Sequence, residues 1–360
     1  MNLGIITWHF LDNCGSMLQA YAMIKIFEKY GYNVEIINYR EGAKTGILSD
    51  LLREIKYLIS YKDNTYGMRK KKNHIFRKKH FKETKIIKSN EDLLKYKFDY
   101  DIYVCGSDQI WSPTRFDLSY YLNFVPEGKT KIAYAPSLVI DSYSSDQINL
   151  LKEYLPTFTA ISLREETGSE IMKRSVGEEY PVVLDPTLML DVSVWDNLSS
   201  NVYEYNDFIL CYFIGNDDKY KESVYKFAKK IDKKIISIVI TDNHHFGDII
   251  IKDADPSNFI ELVKKSSCVL TDSFHGVLFA INFQKDFFAY ERFKADDEDN
   301  QNQRIENVLN KIELMNRIIN ENHNFLNNES IDYTRANQLL EKEKASSYDF
   351  LNKALGICGD

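Results

Sequence analysis

The sequence predicts an α/β protein made of two Rossmann-like domains that face a cleft. Short apolar runs, typical of buried parallel strands, alternate with stretches of helical spacing. These runs fall into two series, and the polar segment 191–207 separates them. The chain of 360 residues is also long for one domain, which favours two.

The chain opens with a strand–helix–strand unit. LGIIT is a short apolar run, and the loop WHFLDNCGS follows it. In the next stretch Met17, Leu18, Tyr21, Ile24 and Phe27 fall roughly on one helical stripe. GYN ends this helix, because glycine suits the position after a helix C-terminus, and VEIINY follows as a strand. Such a unit implies a parallel sheet with a right-handed crossover.

The same pattern recurs along the chain and sets the predicted domain limits. The first series continues with DIYVCG, KIAYAP, FTAISL and PVVL, and the second comprises DFILCYFI, KIISIVI, SCVLT and DFFAY. We place the boundary in the polar segment between the series. This gives an N-terminal domain over 1–198, expected to take the acceptor, a C-terminal domain over 199–328, expected to take the donor, and a charged helical extension over 329–360.

Composition argues against several classes of protein and of ligand. The net charge of −7 gives no overall case for nucleic acid. The five cysteines are scattered and form no CxxC pair, which argues against a disulfide framework and against a zinc site. We see no signal peptide and no window near the ~20 apolar residues that a membrane span needs. We therefore expect a soluble cytoplasmic protein without a metal or cofactor.

One segment, 68–80, is locally basic and reads MRKKKNHIFRKKH. It fits a solvated helix face. It also fits a surface for anionic lipid or a polyanionic acceptor, since polybasic segments are drawn to negative membranes. The second interpretation would place the protein at the inner face of the membrane.

Candidate site residues follow from the strand ends, because ligands of open α/β sheets bind outside the carboxyl ends of the strands. A lone polar residue there is more often a helix cap or a structural side chain. Here polar residues of different chemistry collect at strand ends in both series, which predicts a cleft. In the first series the candidates for substrate binding are Asn13, Gly15, Ser107, Asp108 and Gln109.

Four further candidates come from the motifs TDSFHG and ISLREETG. His275 falls in the first turn of a predicted helix, just past a strand, and Asp272 and Ser273 precede it. Each of those two is either a cap or a substrate-binding residue. Arg164 ends another strand and precedes two glutamates, so it is either a surface ion pair or a binding group.

Together the motifs carry a resemblance to a known family. ITWHFLDNCGS, GSDQIW, ISLREETG, VVLDPTLMLD, TDSFHG and the late NQRIENVLN resemble the polysaccharide pyruvyl transferase family in order and spacing, from residue 1 to about 317. The sequence departs at Cys14, where the family pattern has an aromatic residue before the glycine. The C-terminal extension is outside the resemblance.

The resemblance implies a fold similar to the glycosyltransferase-B type. It also implies transfer of a pyruvyl group from phosphoenolpyruvate, as co-substrate, to sugar hydroxyls of a surface or capsular polysaccharide precursor, with formation of a ketal. The family's histidine falls on His275, the expected general acid. Its strand-end arginine falls on Arg164, expected to hold the donor anion, and its late arginine falls on Arg304. A glycan or lipid-linked oligosaccharide is the implied acceptor.

The chemistry agrees with these residue types. Phosphoenolpyruvate needs a proton at its methylene carbon, a cation for its anionic groups and backbone N–H donors. Imidazole donates a proton near neutral pH, and guanidinium binds carboxylate or phosphate with two donors. Two other readings stay open: a sugar-nucleotide-dependent glycosyltransferase of similar fold, and a non-catalytic carbohydrate-binding relative.

Overall fold

The chain folds as two compact units. The computed structural model describes residues 1–42, 65–139, 142–215, 218–240, 246–294, 297, 301–319 and 329–357. Unit 1 is formed by the described residues of Met1–Ser60, Arg77–Met189 and Lys342–Asp360. Unit 2 is formed by those of Tyr61–Phe76 and Leu190–Glu341. The predicted limits at 198 and 328 and the acceptor and donor sides stay predictions.

Unit 1 is built on a five-stranded parallel sheet. Its order is β2-β1-β3-β4-β5, with strands β1 Asn2–Ile6, β2 Asn33–Ile36, β3 Ile102–Cys105, β4 Thr130–Ala133 and β5 Ala160–Ile161. The short strands are largely apolar and buried, as expected of a sheet covered on both faces.

Helices surround this sheet. They are α1 Cys14–Lys29, α3 Asn90–Lys95, α4 Ser145–Tyr154, α5 Glu166–Val176 and α6 Pro186–Met189. Helix α2, Thr65–His80, belongs to unit 2 up to Phe76 and to unit 1 from Arg77. Short 3₁₀ turns span Pro113–Arg115, Leu118–Tyr121 and Leu155–Thr157. Helix α1 is buried well beyond the predicted stripe, because it packs against both β2 and α6.

Aromatic rings fill the core of unit 1. Trp111 stacks on Tyr121 with ring centroids 4.8 Å apart, and both side chains are wholly buried. The indole N–H of Trp111 donates to the carbonyl of Tyr120 at 3.0 Å, so its one polar group is satisfied. Much of the high aromatic content therefore serves packing.

Unit 2 holds a six-stranded parallel sheet of order β11-β10-β9-β6-β7-β8. Its strands are β6 Ile209–Tyr212, β7 Ile235–Ile238, β8 Ile249–Ile251, β9 Cys268–Thr271, β10 Asp286–Tyr290 and β11 Ile318–Ile319. Its helices are α7 Val192–Leu198, α8 Asp218–Ile231, α9 Pro256–Lys265, α10 Phe274–Asn282 and α11 Gln303–Lys311, with a 3₁₀ turn at Met315–Arg317.

Helix α12, Tyr333–Ala354, contributes residues to both units. In unit 2 the Tyr333 hydroxyl donates to the carbonyl of Lys285 at 2.7 Å. In unit 1 the Leu184 amide donates to Ser347 Oγ at 3.0 Å, and the Tyr348 hydroxyl donates to the carbonyl of Met189 at 2.9 Å. The charged C-terminal stretch is thus part of the folded structure.

Two findings concern membrane-spanning helices and metal sites. Among the helices that the structure describes, none is both long and apolar enough to cross a bilayer. Within the same residues, no group of three or more His, Cys, Asp or Glu side chains is placed to hold a metal ion.

Candidate functional site

In unit 1 the GSD turn after β3 meets the first turn of α1. The Ser16 hydroxyl donates to Asp108 Oδ2 at 2.6 Å, and the Gln109 amide donates to Asp108 Oδ1 at 2.9 Å. Asp108 has a φ of 74°, in the left-handed region that non-glycine residues seldom occupy. Such strained backbone persists where the surroundings impose it, and it clusters at functional sites.

The predicted site residues near this turn differ in how many hydrogen bonds they already make within the protein. Ser107 is wholly buried, and its hydroxyl donates to the carbonyl of Ala135 at 2.7 Å while its amide donates to Gln19 Oε1 at 3.1 Å. Asn13 is the N-cap of α1, since Asn13 Oδ1 accepts from the Gly15 amide at 2.8 Å. Ser107 therefore has an evident structural role, and Asn13 fixes the start of α1.

Arg164 lies in a buried ion-pair network rather than at the surface. Its Nε donates to Glu165 Oε1 at 3.0 Å, and its Nη1 donates to Asp185 Oδ2 at 3.2 Å. The Asp185 carboxylate also accepts from the hydroxyl of Thr187 at 2.7 Å. Burial alone would lower the pKa of Arg164, but the carboxylates of Glu165, Asp185 and Asp108 outweigh burial and raise it. Arg164 is thus firmly cationic.

The Arg164 network and the GSD turn lie together at the carboxyl edge of the unit 1 sheet. The Ser137 amide donates to the carbonyl of Asp108 at 2.8 Å, and the Arg164 amide donates to the carbonyl of Pro136 at 3.3 Å. Ser137 Oγ and Glu165 Oε2 are buried and have no hydrogen-bond partner among the described residues. Buried polar atoms of this kind call for a water or a polar ligand.

A buried histidine after β1 was not among the predicted site residues. His9 is wholly buried; its ring Nδ1 lies 2.9 Å from the carbonyl of Thr7, and its Nε2 lies 3.5 Å from Glu83 Oε1. Glu83 also pairs with Arg77 at 2.7 Å. Burial, together with the charge of Arg77, lowers the pKa of His9 to about 4 against the opposing pull of Glu83.

In unit 2 the TDSFHG motif forms the passage from β9 into α10, as predicted. Ser273 is the N-cap, since its hydroxyl accepts from the Gly276 amide at 3.3 Å. His275 stands in the first turn, largely buried, with its ring edge-on to Phe274 at 5.3 Å between centroids. A Cβ on Gly276 would lie 2.4 Å from Thr271 Oγ1, so glycine permits the close approach of α10 to β9.

Asp272 does not cap the helix. Its buried carboxylate accepts from the amides of Ile214 and Gly215 at 2.7 and 2.8 Å, and so ties the end of β6 to the end of β9. The sequence predicted that Asp272 lies at the end of a strand. It could not predict that its hydrogen-bond partners, Ile214 and Gly215, lie more than fifty positions away in sequence.

Two arginines contact the motif from the segment after β10. Arg304 lies over the Phe274 ring, 5.7 Å from its centroid, and donates to Gln301 Oε1 at 2.7 Å. Arg292 donates to Asp272 Oδ2 from Nε at 3.2 Å. Arg304 was a predicted candidate. Arg292 was missed, although it follows β10 by two positions and the strand-end rule that found Arg164 applies equally to it.

Comparison with known proteins identifies the family. A family model described as polysaccharide pyruvyl transferase matches residues 13–292, which is most of the chain. No curated protein matches the chain.

Solved structures show likeness of fold. A UDP-N-acetylglucosamine 2-epimerase is 10% identical with a TM-score of 0.50, over 100% of this chain and 97% of that chain. The UDP-GlcNAc 2-epimerase from Methanocaldococcus jannaschii is 15% identical with a TM-score of 0.44, over 95% and 100%. An alpha-glucosyltransferase in complex with UDP and DNA is 13% identical with a TM-score of 0.47, over 98% and 95%. The chain has a glycosyltransferase-B-like fold of two parallel-sheet α/β domains.

Proposed function

Because the chain belongs to the polysaccharide pyruvyl transferase family, we propose that it transfers a pyruvyl group from phosphoenolpyruvate to two hydroxyls of a sugar in a surface or capsular polysaccharide precursor, with formation of a ketal. The observation that carries the proposal is the TDSFHG passage, where Ser273 caps α10 and His275 stands in its first turn at the carboxyl edge of the sheet. An imidazole there lies beside the N–H groups of a helix start, where anions bind.

In the proposed reaction His275 is the general acid. It delivers a proton to the methylene carbon of phosphoenolpyruvate, and C2 becomes electrophilic. One sugar hydroxyl bonds to C2, the C2–O bond to phosphate breaks, and a second hydroxyl completes the ketal. The two hydroxyl protons balance the new methyl hydrogen and the proton carried by the released phosphate. Proton delivery by a positioned side chain contributes about 10²–10⁴-fold to a rate.

Arg164 is proposed to hold the donor anion. Its guanidinium already donates to Glu165 and Asp185, so the anion would share a cation whose orientation these carboxylates fix. Substitution by lysine would keep the charge and lose the planar fork that this arrangement uses. We therefore propose that Arg164→Lys loses activity.

The remaining candidates are assigned to substrate binding. In unit 1 the acceptor hydroxyls would meet Asn13, Gly15, Asp108 and Gln109, of which the Asp108 carboxylate is the strongest acceptor of hydrogen bonds. The buried Ser107 would take part by holding the turn that carries Asp108. In unit 2 the donor would meet Asp272, Ser273 and Arg304. Phosphoenolpyruvate is a co-substrate in this scheme, and no further cofactor takes part.

We also propose that helix α2 touches an anionic membrane at the cytoplasmic side, where a lipid-linked acceptor would lie. Not all of the basic segment is available: Arg69 donates to the carbonyl of Val239, and Arg77 pairs with Glu83. On the same helix Met68 and Ile75 are 37% and 53% exposed, and Lys78 and Lys79 are exposed too. Exposed apolar and basic side chains on the same helix suit a negative membrane surface.

Thermal unfolding with candidate donors tests the proposed donor, since a ligand that binds the folded state raises Tm. Phosphoenolpyruvate should raise Tm in a concentration-dependent way, and UDP-N-acetylglucosamine should not. A rise with the nucleotide sugar alone would instead favour a sugar-nucleotide-dependent enzyme.

A further inference from the structure

Arg292 is a guanidinium of unit 2 that lies against the motif carrying His275. We infer that Arg292, oriented by Asp272, binds the carboxylate or phosphate of the anionic donor. This inference rests on the proposed function in that it names the residue of unit 2 that holds the same donor. The donor's chemical class is a small molecule with a carboxylate, a phosphate or both.

The contacts of Arg292 leave donors available. Nε donates to Asp272 Oδ2 at 3.2 Å, and Nη2 donates to the carbonyl of Asp272 at 2.7 Å. A guanidinium has five N–H groups, so these two bonds leave Nη1 and one hydrogen of Nη2. Within the described part of the chain, the Arg292 side chain donates no other hydrogen bond. The side chain is 18% exposed, so a ligand from solvent can reach it.

The orientation of Arg292 is set before any ligand arrives. The Asp272 carboxylate is fully buried and is fixed by the amides of Ile214 and Gly215. A Cβ on Gly215 would lie 2.7 Å from Arg292 Cγ and 2.8 Å from Asp272 Oδ2, so a larger residue would push the pair apart. A pre-oriented guanidinium loses little conformational freedom when it binds an anion.

A second cation stands at the same motif. Asn302 Oδ1 accepts from the amides of Arg292 and Phe293 at 3.2 and 3.3 Å, which ties the segment after β10 to the start of α11. Arg304, the second residue of α11, lies over the Phe274 ring. Arg292 thus meets the motif at Asp272 and Arg304 meets it at Phe274, on either side of the cap residue Ser273. Two guanidinium groups match a donor with two anionic groups.

The environment of Arg292 differs from that of Arg164. The Arg164 side chain is 2% exposed and faces two buried carboxylates, Glu165 and Asp185. Arg292 faces one carboxylate, which holds it by one edge. The two arginines proposed to hold the donor thus differ: two carboxylates orient Arg164, whereas one carboxylate orients Arg292 and leaves its other N–H groups to an anion.

The test is the Michaelis constant for phosphoenolpyruvate in Arg292→Lys and Arg292→Gln. Both variants should fold, because Asp272 keeps its two backbone donors. We expect the KM for phosphoenolpyruvate to rise about tenfold or more, as for loss of a charge-assisted hydrogen bond, while the KM for the acceptor stays unchanged. The matched control is Arg335→Lys, which alters an arginine of the same unit that pairs with Glu313 on the exposed surface.

Calorimetric titration with phosphoenolpyruvate and with inorganic phosphate separates this inference from the proposed function. If the folded Arg292 variants keep the wild-type KM and the wild-type affinity for both anions, the inference is overturned while the proposed function stands. If the wild type binds these anions through Arg292 yet never releases phosphate from phosphoenolpyruvate, the inference stands and the proposed function falls. If the wild type binds neither anion, both fall.

Discussion

The Arg164 guanidinium donates from Nη1 to Asp185 Oδ2 across 3.2 Å, and neither side chain is more than 2% exposed. Glu165 holds the Nε edge of the same group at 3.0 Å. One cation therefore lies between two buried carboxylates at the carboxyl edge of the unit 1 sheet. Removal of the cation would leave both carboxylates buried and uncompensated.

We predict that Arg164→Met lowers the free energy of unfolding by about 3–5 kcal/mol, the range for breaking a buried pair by removing one partner. Urea titration followed by circular dichroism measures it. Lys173→Met is the control, because Lys173 pairs with Glu179 on the open surface and its loss should leave the midpoint unchanged. Equal midpoints for the two variants would show that the network contributes no stability.

Gly276→Ala should disturb the first turn of α10. The added Cβ would lie 2.4 Å from Thr271 Oγ1 and 3.0 Å from its Cγ2, both on a buried side chain. We expect a loss of about 1–3 kcal/mol in the free energy of unfolding, as for other overpacked sites, together with reduced turnover because His275 precedes this glycine.

Gly168→Ala is the matched control for that prediction. Gly168 is likewise the third residue of its helix, α5, but the nearest neighbour of its Cβ would be Leu138 Cδ1 at 3.5 Å. Alanine there should leave stability unchanged or raise it by up to about 1 kcal/mol. A Gly276→Ala variant as stable and active as Gly168→Ala would refute the close approach.

The buried His9 predicts a pH-dependent loss of stability. Its pKa is lowered from 6.5 to about 4, first by burial and then by Arg77. The unfolded chain protonates His9 below pH 6.5, and the folded chain does so only near pH 4. The contribution of neutral His9 to the free energy of unfolding is therefore complete above pH 6.5 and is lost as the pH falls towards 4. At 1.36 kcal/mol per pH unit this amounts to about 3 kcal/mol.

Comparison of the wild type with His9→Gln isolates that contribution. The difference between their free energies of unfolding should shrink as the pH is lowered from 6.5 to 4. A His9 ring that titrates above pH 6.5 by NMR would mean that the Glu83 carboxylate, 3.5 Å from Nε2, outweighs burial and Arg77.

Membrane contact through α2 predicts charge-dependent binding to vesicles. Reversing Lys78 and Lys79 to glutamate should weaken sedimentation with phosphatidylserine vesicles, since about 1 kcal/mol per lysine, or roughly thirtyfold for two, comes from the surface potential. The control reverses the exposed pair Lys229 and Lys230 of α8. Binding that is equally weakened by both double variants, or that persists without anionic lipid, would argue against a specific surface on α2.

Local patterns, each within one strand or the segment just after it, carried most of what the sequence could predict. Alternating apolar runs located both sheets, and the strand-end rule placed Arg164, Asp272 and His275 at carboxyl edges. PVVL, predicted as a strand, makes only the bridge between Leu163 and Val182; a proline is its first residue and another follows two positions after its last. The strands β8 and β11, of three and two residues, were not predicted.

What the sequence could not supply were the long-range partners. The partners of Asp272 lie 57 and 58 positions away, and His9 meets Asn38 29 positions away. Arg164 was expected either in a surface ion pair or as a binding group. It lies in a buried network, because Asp185, on another loop, packs against its guanidinium. Such pairings depend on strand order, which the spacing of apolar residues does not specify.

The most direct test of the central claim is incubation of the wild type and His275→Ala with phosphoenolpyruvate and a panel of glycan and lipid-linked acceptors. Phosphate release and acceptor mass are followed together. We predict a pyruvyl ketal on one acceptor, phosphate release in step with it, and turnover at least ~100-fold lower in folded His275→Ala. Near-normal turnover by that variant would contradict the account.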